Sequence, residues 1–453
     1  MRRRRNTDAF VRRPGHLVAW ALGAMASVLF APLLTYALAP GPWRSAAIEV
    51  SVGLGFAAMA LLCLQFATSG RFLWLARPIG QHAMMRLHRL VGVLAGVLVL
   101  AHAAGVILSN PGYLAFLDPR VNLPRALALG AATLALLAIV VLSLARREVG
   151  VSYEIWRLLH GGLAAMIVVV GAAHIFMVGH HAGPPWQRGL WIAFAGLALA
   201  LLVWSRGVRP WQQRRRPWRV VEVRPEHVRT CTLVLMPEGH AGMPFETGQH
   251  VWLTVGDSSF SLQQHPFTIA SSDARPDRIE LTIKALGDFT ASVPSIPVGT
   301  RAFLEGPYGA RWLTGSADTP LVMIGGGIGI TPFASALRSM RDRGIHRRFV
   351  LFHGAADLAR ATFNAELRQL TMDLGGDLVT VLESAPDEAT PDKDIVEGRI
   401  DRRLLADRLD PTLLGQARFV LCGPPQMLRQ TKTALHELGV PRWHIHVEDI
   451  AMV

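Results

Sequence analysis

His88-Arg-Leu-Val-Gly-Val-Leu-Ala-Gly-Val-Leu-Val-Leu-Ala-His102 is an apolar run closed at both ends by histidine, and His160-Gly-Gly-Leu-Ala-Ala-Met-Ile-Val-Val-Val-Gly-Ala-Ala-His174 repeats the arrangement. In both, the histidines stand 14 positions apart. In a helix, 14 steps of about 100° end about 40° short of four turns, so the two rings lie nearly on one face, about 21 Å apart. Ionisable groups inside an apolar helix are expensive, and four of them at matched spacing ask for a reason.

The flanking sequence shows what kind of helix these are. Of 453 residues, 51% are hydrophobic and only 17% charged, against about 25% charged in ordinary soluble domains. Six apolar runs are legible, at Leu17–Ala39, Val50–Thr68, Leu90–Leu108, Ala126–Ala145, Leu158–Gly179 and Gly189–Ser205, each near the ~20 residues that cross a bilayer core. The first is too long, and its sequel too hydrophobic, for a cleaved signal peptide. Residues 1–219 hold 23 arginines and no lysine against five acids, whereas the remainder is net acidic. With Arg2–Arg5, Arg12 and Arg13 inside, alternation places most other arginines of this half inside too, leaving Arg44, Arg120, Arg125 and Arg188 outside. The positive-inside rule then fixes both chain ends in the cytoplasm. These arginines punctuate apolar runs instead of forming one stripe with stacking aromatics, which argues against nucleic acid. Cys63, Cys231 and Cys422 are too few and too scattered for a disulfide framework or a four-thiolate metal site.

The third and fifth runs point the same way, so His88 is level with His160 near the cytoplasm and His102 with His174 near the far side. A lone membrane histidine usually bonds to a neighbouring helix. Two facing pairs at two depths suit two haems b with bis-histidine ligation, which divide the crossing into short electron hops. Nearby glycines and alanines, among them Gly92, Gly96, Gly161, Gly162 and Gly171, leave room for flat macrocycles. His180 and His181 follow on the outer side, where solvent and a metal ion are the alternatives.

After the basic segment Trp211–Pro217 the pattern changes. Short segments from Trp218 to about Tyr308, separated by glycine and proline, predict an antiparallel β-barrel. From Leu321, apolar strands alternate with helical stretches, predicting a parallel α/β unit. Leu321–Ile324 runs as a buried strand into Gly325-Gly-Gly-Ile-Gly-Ile-Thr-Pro-Phe333. There glycines admit a diphosphate, Thr331 caps the following helix and Pro332 fits its first turn.

His265-Pro-Phe-Thr-Ile-Ala-Ser271, Gly287-Asp-Phe-Thr290, Gly306-Pro-Tyr-Gly309, the glycine loop and Cys422-Gly-Pro-Pro425 occur in an order and spacing that resemble the ferric reductase and NADPH oxidase superfamily, in particular its bacterial members. With the paired histidines the likeness covers nearly the whole chain. It implies a multidomain membrane protein: a basic N-terminus (1–16), a six-helix transmembrane bundle (17–205), a linker (206–217), an antiparallel β-barrel FAD domain (218–315) and an α/β parallel-sheet NAD(P) domain (316–453). By resemblance, His265, Pro266, Phe267 and Thr268 border the flavin, with Thr268 near its reactive edge. Lys284, Asp288, Phe289 and Thr290 meet the FAD pyrophosphate. Gly325, Gly326, Gly327, Gly329, Thr331 and Pro332 hold the nucleotide, and Cys422, Gly423 and Pro424 lie beside the nicotinamide.

The function so implied is electron transfer from cytoplasmic NADH or NADPH through FAD and two haems b to an acceptor outside a bacterial inner membrane. Dioxygen, giving superoxide, is the favoured acceptor and a ferric chelate the alternative, with a periplasmic protein or quinone acceptor, and a non-catalytic haem-binding membrane scaffold, as the remaining readings. No partner protein is evident. Two departures stand out. Phe352-His-Gly-Ala-Ala-Asp357 lacks the arginine that relatives use for the 2′-phosphate of NADPH, leaving Arg360 as a substitute. The chain ends Val447-Glu-Asp-Ile-Ala-Met-Val453, with Ile450 where relatives cover the flavin with an aromatic ring.

Overall fold

The computed structural model describes residues 43–69, 71–72, 81–146, 148–227, 229–309, 319–384 and 394–448, with scattered positions between 22 and 38. The chain divides into two units, one within residues 14–210 and the other over residues 211–453.

In the first unit, α1 (Ala46–Ser69), α2 (Gln81–Ser109), α3 (Leu123–Leu144), α4 (Tyr153–Val178) and α5 (Pro185–Val203) are helices. Among the described residues, five helices are long and apolar enough to cross a membrane. The first expected run lies partly outside the described residues; its described positions from 22 to 37 are helical. Local chemistry sets the boundaries. The Asn122 side chain accepts the Arg125 amide N–H, with proline in the first turn of α3. Ser152 accepts the Ile155 amide ahead of α4, and Gly179, at φ 67°, closes that helix in the left-handed conformation. The last run, expected to stop at Ser205, instead continues through a π turn at Trp204–Val208 and on to Arg214. Pro210 supplies the reason: its ring crowds the carbonyl four residues back, and the wider turn relieves that clash.

Phe56, Met59 and Cys63 of α1 pack with Val168 and Ala172 of α4 and with the fully buried Trp191 of α5. Helix α2 lies along α1 and α4 along α3, and the two histidine-bearing helices make no extended backbone contact with each other.

The second unit opens with β1 (Trp218–His227), β2 (Thr230–Pro237), β3 (His250–Val255), β4 (His265–Thr268), β5 (Ile279–Lys284) and β6 (Arg301–Tyr308). They form an antiparallel sheet in the order β4-β3-β6-β1-β2-β5, and a bridge from Ile269 to Leu281 joins its two edges. Trp218, Leu233, Leu235, Leu253, Ile279 and Leu281 fill its core. The short helix α6 (Asp288–Ser292) follows β5.

Next come β7 (Leu321–Gly326), β8 (Phe349–Ala355), β9 (Asp377–Leu382), β10 (Ile395–Glu397), β11 (Arg418–Cys422) and β12 (Ile445–Glu448), all parallel, in the order β10-β9-β8-β7-β11-β12. Leu321 and Met323 of β7 face one core, with α7 (Thr331–Arg343) and α8 (Asn364–Leu374). Val322 and Ile324 face the other, with α9 (Pro425–Glu437). A strand covered on both faces reads as a continuous apolar run, which is why Leu321–Ile324 was legible. Strand order reverses between β7 and β11, and ligands of open α/β sheets bind at such a reversal, beyond the carboxyl ends of the strands.

Candidate electron-transfer site

The structure brings together both predicted histidine pairs. The ring centroids of His88 and His160 are 6.2 Å apart, and those of His102 and His174 are 6.4 Å apart. A metal–imidazole bond is about 2 Å and the ring centre lies about 1 Å behind the ligating nitrogen, so two imidazoles on opposite sides of one metal ion have centroids about 6 Å apart. Both pairs meet that spacing, and the helices that carry them do not close the gap between.

Hydrogen bonds orient the rings. His102 Nδ1 donates to the Ser51 carbonyl at 2.8 Å, so in the neutral ring Nε2 carries a free lone pair. The Thr68 hydroxyl spends its one proton on the Gln65 carbonyl and accepts from His88 Nδ1 at 3.1 Å. Ser143 Oγ lies 3.3 Å from His160 Nδ1. His174 Nδ1 is buried without a hydrogen-bond partner. Such second contacts fix the tautomer of metal-ligating histidines. Gly55 permits one of them, because a Cβ there would stand 2.8 Å from His102 Nδ1. Of the glycines expected to admit a macrocycle, Gly96 and Gly162 have nothing within 4 Å of a would-be Cβ. Gly92 and Gly171 instead make room for Gln65 and the Met59 sulfur. Sequence reasoning missed Ser51, Thr68 and Ser143; their signal was a hydroxyl inside an otherwise apolar run.

On the flavin side, the four residues His265–Thr268 are all half-buried on β4, an edge of the antiparallel sheet. His265 stacks on Phe289 at 4.1 Å with 12° between the ring planes, and Phe267 lies 6.3 Å from Phe289. The structure thus collects two residues expected at the flavin, His265 and Phe267, and one expected at the FAD pyrophosphate, Phe289, into one aromatic group. Lys284 ends β5 exposed, and Asp288 is exposed in the first turn of α6. Thr290 departs from expectation. Its hydroxyl oxygen accepts the amides of Leu286 and Gly287 at 2.8 and 2.9 Å, so it closes its own turn before it can serve a pyrophosphate.

The glycine loop sits at the end of β7, beside Cys422 of β11, which pairs in register with Gly325. Three of the loop glycines are demanded by packing within the protein. A Cβ on Gly329 would lie 2.4 Å from the Cys422 carbonyl oxygen, one on Gly326 2.4 Å from the Met427 sulfur, and one on Gly325 2.9 Å from Ile330. The protein itself requires these three. Gly327, at φ 55° with open space where a Cβ would be, is the loop glycine facing outward. Thr331 also differs: it is the first residue of α7 and its hydroxyl donates to the Ile328 carbonyl at 3.0 Å instead of capping. The 3-10 turn Gly327–Ile330 leads straight into the helix and leaves no extended cap position. Pro332 occupies the first turn as expected. Cys422 is buried in the core, and Gly423 and Pro424 carry the chain from it into α9. Ile450 lies outside the described residues.

Helix α7 ties the loop to the flavin sheet. Ser335 Oγ donates to the Ser271 carbonyl at 2.7 Å, and the Asp273 amide donates to Ser339 Oγ at 2.9 Å. Arg338 is buried. Its guanidinium donates to the Ala270 carbonyl at 2.8 Å, to Glu280 at 3.2 Å and to both carboxylate oxygens of Glu366 at 2.6 Å. Burial alone would raise the Glu280 carboxyl; Arg338, Arg278 and Arg224 outweigh it and hold the group below the usual carboxylate range. The segment Ala270–Asp273 directly follows the flavin-edge strand, so loop and strand are fixed to each other.

Three family models match the chain. One described as a ferric reductase like transmembrane component covers residues 54–171, an FAD-binding domain covers 229–311 and an oxidoreductase NAD-binding domain covers 323–433. The reductase component of propane 2-monooxygenase from Rhodococcus jostii is 29% identical over 229 residues, 49% of this chain and 60% of that protein. A flavohemoprotein of Bordetella pertussis is 26% identical over 246 residues, 51% of this chain and 60% of that protein. The chain thus spans about 60% of the length of these relatives. Among solved structures, flavohemoglobin from Malassezia yamatoensis covers 90% of this chain and 99% of its own at TM-score 0.49 and 18% identity. The FAD/NAD-binding domain of nitric oxide dioxygenase from Vibrio cholerae covers 52% of this chain and 98% of its own at TM-score 0.45 and 20% identity.

Proposed function

We propose that this chain, which has the architecture of the ferric reductase and NADPH oxidase superfamily with ferredoxin–NADP reductase-type domains, is an integral membrane oxidoreductase that carries electrons from cytoplasmic NAD(P)H to an acceptor on the outer face. The observation that carries this reading is the pair of facing imidazoles at each of two depths. Bound FAD supplies conversion of a two-electron hydride into single electrons, and two haems b supply the relay across the membrane. His88 with His160 and His102 with His174 would hold the two haems. His265, Phe267 and Phe289 offer an apolar, aromatic border for the flavin, with Thr268 at the same strand end. Gly327 and the start of α7 offer backbone amides to the pyrophosphate. Cys422, at the strand reversal, shapes the nicotinamide end of the cleft. Arg338, Ser335 and Ser339 hold the two halves of that cleft in register. The arginine asymmetry supports a cytoplasmic position for residues 218–453, and the membrane is taken to be a bacterial inner membrane. Dioxygen and a ferric chelate are both served by this wiring.

The test is acceptor competition in proteoliposomes supplied with NADH, measuring superoxide and Fe(II) separately under air and under argon. Reduction of flavin and Soret bands followed by outward reduction of either acceptor is the expected result. Haem bands that NADH never reduces, or a preparation without iron, would refute the relay.

Nucleotide choice follows from the end of β8. Asp357 accepts the Arg360 amide at 2.8 Å and its carboxylate pairs with the Arg360 side chain at 3.3 Å. The substitute arginine is therefore already engaged, and an acid at this place favours a ribose hydroxyl over a phosphate. Values of kcat/KM for NADH and NADPH are expected to lie within about tenfold of one another, and Asp357→Ser should move the ratio toward NADPH by about tenfold, or ~1.4 kcal/mol. A preference for NADPH by several orders of magnitude in the unaltered chain contradicts this.

A further inference from the structure

Histidines 180 and 181 do not lie free in solvent. They meet Glu49, from the first turn of α1, and the three side chains offer one ligand atom each within 4.8 Å of one another. The meeting takes place at the same end of the bundle as the His102–His174 pair: α4 carries His174 four residues before its last, and Ser51, which accepts from His102, is two residues after Glu49.

Glu49 and His181 are buried, and His180 is half-buried, giving the cluster an approach from outside. A buried carboxylate among apolar helices needs compensation. Glu49 Oε1 accepts the backbone N–H and Nε of Arg44, both at 3.0 Å. Oε2 accepts His181 Nε2 at 2.7 Å; the Tyr36 hydroxyl lies 3.0 Å from Oε2 but 2.7 Å from the Glu49 carbonyl oxygen, the nearer acceptor of its one proton. His180 Nε2 stands 3.9 Å from Oε1. The two Arg44 donors hold Oε1, as second contacts do around a metal-bound carboxylate. The donor from His181 is the one an ion replaces, by taking the position of the shared proton. Metal–ligand bonds of about 2 Å put neighbouring ligand atoms about 3 Å apart, between the 2.7 and 3.9 Å found here. Tyr36 and Trp43 wall His181 with ring centroids 4.7 and 5.8 Å away, and Nδ1 of His181 is buried without a partner.

We propose that Glu49, His180 and His181 form a binding site for a first-row transition-metal ion at the outer end of the membrane unit. Two imidazoles and one carboxylate on one side of an ion leave positions open, the donor set that suits iron, copper or zinc and not calcium or magnesium. It rests on the proposed function only in being called the exit end, where iron or copper can take up a single electron. The guanidinium of Arg44 lowers affinity for a free cation and favours an ion that arrives with an anionic chelator.

The probe is Zn2+, which has no redox chemistry. The oxidised full chain, with its flavin and haem, in lipid nanodiscs, is stripped with a chelator and titrated calorimetrically without nucleotide or acceptor, so the outcome is independent of electron transfer. We expect one Zn2+ per chain, an affinity at least tenfold weaker in both His180→Ala and Glu49→Gln, and two imidazole nitrogens at the zinc absorption edge. An unchanged far-ultraviolet circular dichroism spectrum and melting temperature certify that a variant is folded, and His180→Gln, which keeps size and polarity, repeats the test if His180→Ala is not. Equal binding by the unaltered chain and the folded variants, or a zinc edge without imidazole, overturns the proposal.

Discussion

His102→Leu is expected to abolish outward electron delivery while leaving flavin reduction by NADH intact. The substitution puts an apolar side chain of similar volume into the last third of an apolar helix, so α2 retains its packing along α1. What it removes is specific. Nε2 of His102 is the lone pair left free by donation of Nδ1 to the Ser51 carbonyl, and the ring centroid lies 6.4 Å from that of His174. A single remaining imidazole cannot hold a low-spin, six-coordinate iron. Loss of a second contact alone typically costs about 10–100-fold in metal affinity, and loss of the ligand costs more. The haem content, measured as the pyridine adduct, should fall from two per chain to one. Reduction of an impermeant outer acceptor should drop at least about a hundredfold. A variant that keeps both the second haem and the outward rate shows that the outer histidines serve only to join helices. His88→Leu makes the complementary case, since on the proposed relay its loss acts at the entry side.

Arg338→Met should destabilise the flavin and nucleotide unit by about 3 kcal/mol, the low end of the 3–5 kcal/mol that follows from breaking a buried ion pair. The low end applies because Arg224 and Arg278 still face Glu280, and Glu366 is partly exposed. Urea unfolding of the full chain in detergent, followed by flavin fluorescence, measures it. A change below about 1 kcal/mol would place the residue among ordinary surface pairs. Hydride transfer should slow with little change in the KM for NADH, because α7 and the segment Ala270–Asp273 set alignment and contribute less to nucleotide affinity. Acid dependence supplies a second readout. The Glu280 carboxyl is held below its unfolded value, so its contribution is complete above the ordinary carboxylate range and disappears as pH falls through the lower, folded value. Arg338→Met should weaken that acid-linked loss.

Much of the site was legible from residue type and spacing. Fourteen-residue histidine spacing survives as two facing pairs because a helix repeats faithfully over four turns and parallel helices keep level residues level. The buried strand Leu321–Ile324 and its glycine loop were legible because a strand covered on both faces has a continuous apolar code. Less legible were the reasons for individual glycines. Gly325, Gly326 and Gly329 read as places for a ligand, and the structure fills their space with Ile330, Met427 and the Cys422 carbonyl. Thr290 and Thr331 read as ligand contacts and caps, yet both hydroxyls turn back onto their own loops. A short polar side chain has several backbone partners within reach, and only the local turn selects among them.

Sequence by itself determined the membrane half, the order of the domains and the four imidazoles, because hydropathy, helical period and motif order act over short stretches of chain. Only the tertiary structure decided what Glu49, Arg338 and Cys422 meet. Glu49 is separated from His181 by 132 positions and Arg338 from Glu280 by 58, and Cys422 reaches Gly325 only because β11 lies beside β7. Contacts of that kind depend on which helices and strands become neighbours, and neighbours are chosen by packing across the whole unit.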